Sequence, residues 1–388
     1  MIWSKQMTSG SSARLALIAG IGIGVGFGAS AVAVAADLST EKAQIKTTVV
    51  ASGLEHPWGM AFLPDGRMLV TERPGRVRII AADGALSPAL DGVPTVRAQG
   101  QGGMLGVAVD PDFASNQQVW LCWSEPGADG ASTAMGVGKL SGNELNDFRV
   151  LYSQQPQTSG NLHYGCRITF DDSSHVFLSL GDRFRRDEVQ DLGNDFGKVL
   201  RLNRDGSIPA DNPFNGRSDA RPAIWSYGHR NIQSATWNAE RGELWTVEHG
   251  ARGGDEINVP EAGRNYGWPV ITYGRDYSFL RIGEGTAKPG MEQPVHYWDP
   301  SIAPSGMAFY QGAGVKIPAW RGDLFVGGLK EQRLSRLELD GKKVTHEERI
   351  DIAGGQRIRD VIAGPDGFLY IAIDSPRGEI LRIEPAAQ

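Results

Sequence analysis

Six times along the chain an apolar strand pattern, a turn and a second apolar strand follow one another. This recurrence constrains the fold more than any other feature. The copies read WGMAFLPDGRMLVTE from Trp58, GMLGVAVDPDFASNQQVWLCWSE from Gly103 and GCRITFDDSSHVFLSLGD from Gly165. They continue as SATWNAERGELWTVEHG from Ser234, SGMAFYQGAGVKIPAWRGDLFVGG from Ser305 and IRDVIAGPDGFLYIAID from Ile358. Each joins two segments of period-two alternation through turn formers, which is a hairpin signature. A hairpin cannot bury both faces alone, whereas small sheets packed radially around an axis can. Outer strands follow several copies, as RVRII at 76–80, KVLRL at 198–202 and LSRLEL at 334–339. The expected fold is therefore all-β: a six-bladed β-propeller of four-stranded antiparallel sheets. A pair of β-sandwiches is the alternative, and six copies favour the propeller. The mean spacing of about 59 residues exceeds the roughly 40–50 of compact blades, so long loops must join some strands. The longest insert falls between Arg252 and Pro304. Residues 45–51 (IKTTVVA) and the terminal GEILRIEP both look like strands. A ring without open edges requires that they share one blade.

Glycine supplies 51 of 388 residues, well above the average of about 7%, as many tight turns demand. Lys5 and Arg14 are the only charged residues before Asp37, and the apolar run between ends in Ala33, Ala35 and Ala36. These are the marks of a secretory signal peptide over 1–36, cleaved near 35–36. An uncleaved membrane anchor is the alternative, since about 20 apolar residues can span a bilayer. Residues 37–388 then form a single propeller domain, periplasmic or secreted, with no membrane span and either monomeric or homodimeric. The formal charge is −6, two units more negative without the two leader bases. Mild acidity argues against nucleic acid or an anionic membrane as partner. Only Cys122 and Cys166 are present, so this is no disulfide scaffold. An exported protein can pair them, or they stand as two separate buried thiols.

Ligands of a propeller bind where loops of different blades converge, so polar residues at the edges of the repeats carry the functional signal. These are QGQGG at 99–103, GNLHYGCR at 160–167, SYGHRNIQ at 226–233, EHGARGGDEIN at 248–258, GGLKEQR at 327–333 and GGQRIRD at 354–360. Their cations suit a ligand with several carboxylates, and the acidic glycine-rich loop suits a hard cation such as calcium. In this order and spacing the segments resemble the soluble pyrroloquinoline-quinone-dependent aldose sugar dehydrogenases of the glucose/sorbosone dehydrogenase family. The resemblance runs over essentially the whole chain after the leader. Its most specific pieces are IWSYGHRNIQ (224–233), EHGARGGDEINVPEAGRNYGWP (248–269) and GQRIRDV (355–361).

That resemblance implies oxidation of aldoses at the anomeric carbon to lactones, with the quinone and Ca2+ as cofactors and electrons leaving to an external acceptor. It places His163 as catalytic base, a role that suits a neutral imidazole, with Asp182 orienting it and Arg230 polarising the quinone. Gln101, Arg230, Asn231 and Gln233 are implied around the cofactor, and Lys330, Arg357 and Arg359 against its carboxylates. On a regular strand the last two would share one face. Backbone carbonyls at Gly250 and Ala251 are the implied calcium ligands, with alanine standing where the family pattern has proline. Glu256 and the carbonyl of Tyr266 are candidates for a second calcium. Leu162 replaces an acidic residue beside the sugar, which implies broader selectivity, and Trp298 is a candidate platform for the sugar ring. Two other classes remain: a calcium-dependent lactonase, which would not need the Lys330, Arg357 and Arg359 set, and a non-enzymatic binding propeller, in which His163 would be dispensable.

Overall fold

The computed structural model describes residues 37–312 and 314–386, so the expected leader over 1–36 lies outside the described residues. Six antiparallel sheets form in chain order. Blade 1 is Pro57–Phe62, Met68–Glu72 and Arg76–Ile80. Blade 2 is Met104–Val109, Gln118–Gly127, Gly130–Ser141 and Glu144–Ser153. Blade 3 is Gly165–Phe170, His175–Leu180, Lys198–Asn203 and Ile224–Tyr227. Blade 4 is Ile232–Asn238, Glu243–Glu248, Asp255–Asn258 and His296–Trp298. Blade 5 is Pro304–Phe309, Leu324–Gly328, Leu334–Asp340 and Lys343–Ile350. Blade 6 takes Ile358–Ala363, Leu369–Ile373 and Gly378–Pro385 from the C-terminus, then Gln44–Leu54 and Leu38–Ser39 from the other end of the chain. The first strand of each blade packs on the first strand of the next around a closed ring. The chain is a six-bladed β-propeller.

The ring closes as expected, with Ile45 opposite Pro385 and Leu54 opposite Gly378. Blade 1 has three regular strands. Residues 86–90 run beside its third strand and bond to it, Ser87 N to Ile79 O and Leu90 N to Val77 O, both at 2.8 Å. Pro88 between them has no N–H to continue the ladder. The second strands Met68–Glu72, Leu324–Gly328 and Leu369–Ile373 are buried throughout, because neighbouring blades cover both their faces. That explains their continuous apolar runs, whereas the outermost strand Lys343–Ile350 is largely exposed. Cys122 and Cys166 form a disulfide between blades 2 and 3, which decides between the two readings of the cysteines.

One irregularity recurs in all six blades. The pairing of the first strand with the second shifts register near its start, as between Gly165 and Arg167, Ile232 and Ser234, or Ile358 and Asp360. Such bulges re-aim side chains. Here they free Gln233 and Arg359 from the ladder at the same end of the ring. Close approach of the first strands also demands small residues there. A Cβ on Gly106 would meet Cys166 O at 2.5 Å, and one on Gly306 would meet Val361 N at 2.2 Å.

Candidate active site

Loops entering first strands and leaving second strands share one face of the ring, and His163 sits there just before blade 3. Its backbone is left-handed, at φ 51°, a strained state for a residue with a Cβ, and its N–H donates to Gln101 Oε1 at 2.8 Å. Its ring Nδ1 lies 2.7 Å from Asp182 Oδ1. Asp182 follows the second strand of the same blade, and it also accepts from Phe184 N at 2.8 Å and from Trp268 Nε1 at 2.9 Å. With the Nδ1 proton directed at the carboxylate, Nε2 is the ring's free acceptor. Burial, aided by the Arg230 and Arg183 charges, holds His163 below the usual imidazole range against the pull of Asp182. The imidazole is therefore neutral at pH 7. Burial opposes ionisation of Asp182, yet the His163 bond and the Arg230 charge leave it below the usual carboxylate range.

Three hollows join at this point. One of about 540 Å³ is bounded by Trp58, Gln101, Gln233, His249, Arg357 and Arg359. A second of about 510 Å³ shares Gln101 and His249 with it and adds His163, Arg230, Ala251 and Lys330. The third, about 550 Å³, shares His163 and Arg230 with the second and is walled by Asp182, Phe184, Trp268 and Tyr277. Their sizes are those of small-molecule sites. Arg359 donates to Gln233 Oε1 at 3.1 Å and to Asp374 Oδ2 at 3.3 Å, and Arg357 reaches the same carboxylate oxygen at 3.2 Å. Burial pushes the Arg359 guanidinium down to about 10, which leaves it charged at neutral pH. Asn231 is buried, with Oδ1 taking the Gly165 N–H and Nδ2 left without a partner.

The loop after blade 4's second strand is bent by Gly253 and Gly254, both at positive φ, and a Cβ on Gly254 would meet Gly274 N at 2.4 Å. Asp255 holds this loop, accepting from Gly250 N at 2.9 Å and from Ser301, Ile302 and Ala303. Arg230 Nη1 donates to the carbonyls of both His249 and Gly250. Behind them a void of about 10 Å³ is bounded by Glu248, Gly250, Glu256, Tyr266 and Thr272, room for roughly one ion or water. Burial and the neighbouring Glu248 push Glu256 up to about 8.

The structure thus gathers Gln101, His163, Asp182, Arg230, Gln233, Lys330, Arg357 and Arg359 around one cleft, with Gly250 and Ala251 on its wall and Glu256 and Tyr266 behind; Asn231 is buried and bonds the wall residue Gly165 without lining the hollows. Two expectations need correction. Arg357 and Arg359 do not share a strand face, because Arg357 precedes the strand and Arg359 lies in its bulge. Trp298 is no platform: it is buried in the blade 4–5 core and its Nε1 donates to Glu347 at 2.8 Å. Residues not foreseen are Trp268, His249, Trp58 and Asp374. Asp374 has a legible signal, because it stands at or just past the end of the second strand of its repeat, as Glu72, Asp182 and Glu248 do in theirs. Trp58 lies under the first hollow with the Arg167 guanidinium 4.2 Å over its ring, and Arg167 crosses the axis to Asp360 at 2.9 Å.

Comparison with known proteins accords with this geometry. Residues 54–382 match the family model for glucose/sorbosone dehydrogenase. The aldose sugar dehydrogenase YliI of Escherichia coli is 47% identical over 349 residues, 88% of this chain and 94% of that protein. The crystal structure of the soluble E. coli aldose sugar dehydrogenase in its apo form superposes with a TM-score of 0.86 at 46% identity, covering 88% of this chain and all of that one. The PQQ-bound aldose sugar dehydrogenase of Streptomyces coelicolor gives 0.72 at 28% identity over 88% of this chain and 99% of that one. The chain belongs to the glucose/sorbosone dehydrogenase family and is a sugar dehydrogenase.

Proposed function

We propose that this chain, exported through its leader, oxidises aldoses at the anomeric carbon to lactones, with pyrroloquinoline quinone and calcium as cofactors. The observation that carries the reading is the His163–Asp182 pair, whose free Nε2 faces a cleft continuous with the Arg357, Arg359 and Lys330 cations. The cleft fits a planar polycarboxylate. Cations gather at one end, Gln101 and Gln233 line the hollows, and the buried Asn231, which bonds the wall residue Gly165, has an unpartnered Nδ2. Carbonyl oxygens at His249 and Gly250 already face a positive charge, that of Arg230, and such donors suit calcium. Glu256, Glu248 and Tyr266 would hold a second ion in the small void.

His163 Nε2 accepts the proton of the anomeric hydroxyl while the hydride leaves C1, and the C1–O bond becomes the lactone carbonyl. When bound, pyrroloquinoline quinone would supply the two-electron acceptor for that hydride. Asp182 fixes the imidazole tautomer and stabilises the imidazolium as it forms. Arg230, beside His163, offsets negative charge developing in the cleft. Phe184, with its ring 5.3 Å from that of His163, and Trp268 shield the pair from water. An external acceptor then takes the electrons. Purified apo-protein given calcium and the quinone, then assayed for dye reduction with a panel of aldoses, tests the reading. Sugar-dependent reduction is expected, and His163→Ala should abolish it while cofactor binding persists. No quinone binding, or a fully active His163→Ala, would overturn it.

A further inference from the structure

We infer that Lys198 is a positioning residue for the catalytic pair, a buried cation that fastens the loop after Asp182 against Trp268. The inference rests on the reading of His163 as base. Residues 181–197 connect the second and third strands of blade 3 and contain one helical turn, Arg186–Glu188. A loop with so little regular structure must find partners elsewhere for its buried carbonyls. Lys198 supplies two, as Nζ donates to Val189 O at 2.8 Å and to Phe196 O at 2.6 Å.

Placing an ammonium here is costly. Lys198 is fully buried, and burial pushes it down to about 7 against the opposing charges of Asp195 and Asp191. Asp195 forms no direct pair with it. Its carboxylate accepts from Tyr152 Oη at 3.0 Å, Gln155 N at 2.8 Å and Arg221 Nε at 2.5 Å. A buried charge bonded to main-chain carbonyls rather than to a carboxylate is a poor stabiliser, so its position calls for another reason.

The two carbonyls it grips supply that reason. Val189 and Phe196 are the loop residues that pack with Ala251, Trp268 and Ile282 in a small cluster apart from the blade cores. Trp268 in turn donates to Asp182 Oδ2, and Asp182 Oδ1 holds His163. Lys198 therefore sets, through main chain, the side chains that brace Trp268, and Trp268 braces the carboxylate that orients the base. Val189 and Phe196 alone could pack in many ways; gripping their carbonyls from one point selects one. Strand and loop are thereby coupled within a single blade.

The test compares holoenzyme, reconstituted with calcium and pyrroloquinoline quinone, of wild type and Lys198→Met, which keeps the length of the side chain without its donors. Expected are a fall in kcat of about 10- to 100-fold, with KM and quinone affinity by fluorescence titration within about threefold. The acid limb of the kcat profile should move up toward the ordinary imidazole range, because water admitted to Asp182 and His163 relieves the burial that depresses the base. Trp268→Phe, which removes the indole N–H, should displace the limb the same way. A Lys198→Met enzyme with wild-type kcat and limb would overturn the inference, as would kcat and quinone affinity falling together in proportion to lost folded protein. If that variant does not fold, an unmoved limb in Trp268→Phe overturns it instead. Failure of the underlying reading looks different: wild-type holoenzyme itself would not oxidise sugar.

Discussion

Replacing Asp182 by asparagine probes the proposed catalytic pair where it is most constrained. The carboxylate accepts three bonds, from His163 Nδ1 at 2.7 Å, Phe184 N at 2.8 Å and Trp268 Nε1 at 2.9 Å. An amide offers one oxygen and one NH2, so in either orientation a donor meets a donor. With the oxygen toward Trp268, His163 is driven to the tautomer protonated on Nε2, which cannot accept the sugar proton. With the oxygen toward His163, the Trp268 N–H and the new NH2 face each other unpaired. Bonds to charged groups are worth about 1.5–3 kcal/mol, and each 1.4 kcal/mol or so is tenfold in rate, so kcat falls about 10- to 100-fold. Full tautomer inversion would cost more, about 10⁴-fold in the Ser-His-Asp template. Quinone affinity stays near wild type, because Asp182 does not touch the Arg357–Arg359 group. The pH response has a definite sign. Burial lowers the His163 pKa while Asp182 raises it; losing the carboxylate lowers it further, and the acid limb of kcat/KM moves to lower pH. Steady-state dye reduction across pH 4–8 (about the range where imidazoles titrate) reads both effects. An unchanged kcat, or a limb displaced upward, would refute the role given to the pair.

Arg359→Met should weaken quinone binding by about 10- to 100-fold in a fluorescence titration, since it removes one charge-assisted bond of about 1.5–3 kcal/mol. Cys122→Ser with Cys166→Ser opens a loop with a sequence separation of 44. The chain-entropy relation gives a loss of about 4 kcal/mol, read as a lower midpoint in urea without a change in the pH profile of activity. Gly254→Ala places a methyl against Gly274 N at a positive φ. It should reduce calcium-dependent reconstitution at least about tenfold, while the His163 limb, measured at saturating calcium, stays in place.

Most of the fold was legible because a propeller repeats. Six hairpins with turns at matching positions, and strand-like ends that must meet, leave few other closed arrangements, and the pairing of Ile45 with Pro385 follows from that logic. What escaped were departures from the repeat. Pro88 interrupts a fourth strand in blade 1, a local effect of one missing N–H that shows only once the neighbouring strand is in place. Pairing of Cys122 with Cys166 depends on the contact between blades 2 and 3, and 44 residues of separation say nothing about that.

The site divides along the same line. His163, Arg230, Lys330 and Arg359 lie in short polar segments at the edges of the repeats; the segments stood out, while the roles of the four residues came only from the family resemblance. Their supports did not stand out. Trp268 comes from the long insert of blade 4 and joins Asp182 across 86 residues, a contact without any local pattern. Arg359 reaches the axis through a bulge rather than by strand alternation, so the period-two reading that put it on one strand face with Arg357 does not hold. Yet the bulge recurs in all six blades, and in four of them an acidic residue ends the second strand (Glu72, Glu248) or follows it within two residues (Asp182, Asp374). Each of those acids does related work, bonding a loop or side chain at the mouth of the ring. Glu72 takes the Glu55 N–H, Glu248 the Arg230 N–H, Asp182 the Phe184 N–H, and Asp374 joins His56 to the two arginines. Repeated scaffolding carboxylates are thus a property of the blade, and the proposed catalysis would use the one that happens to face an imidazole with a free nitrogen over the cleft.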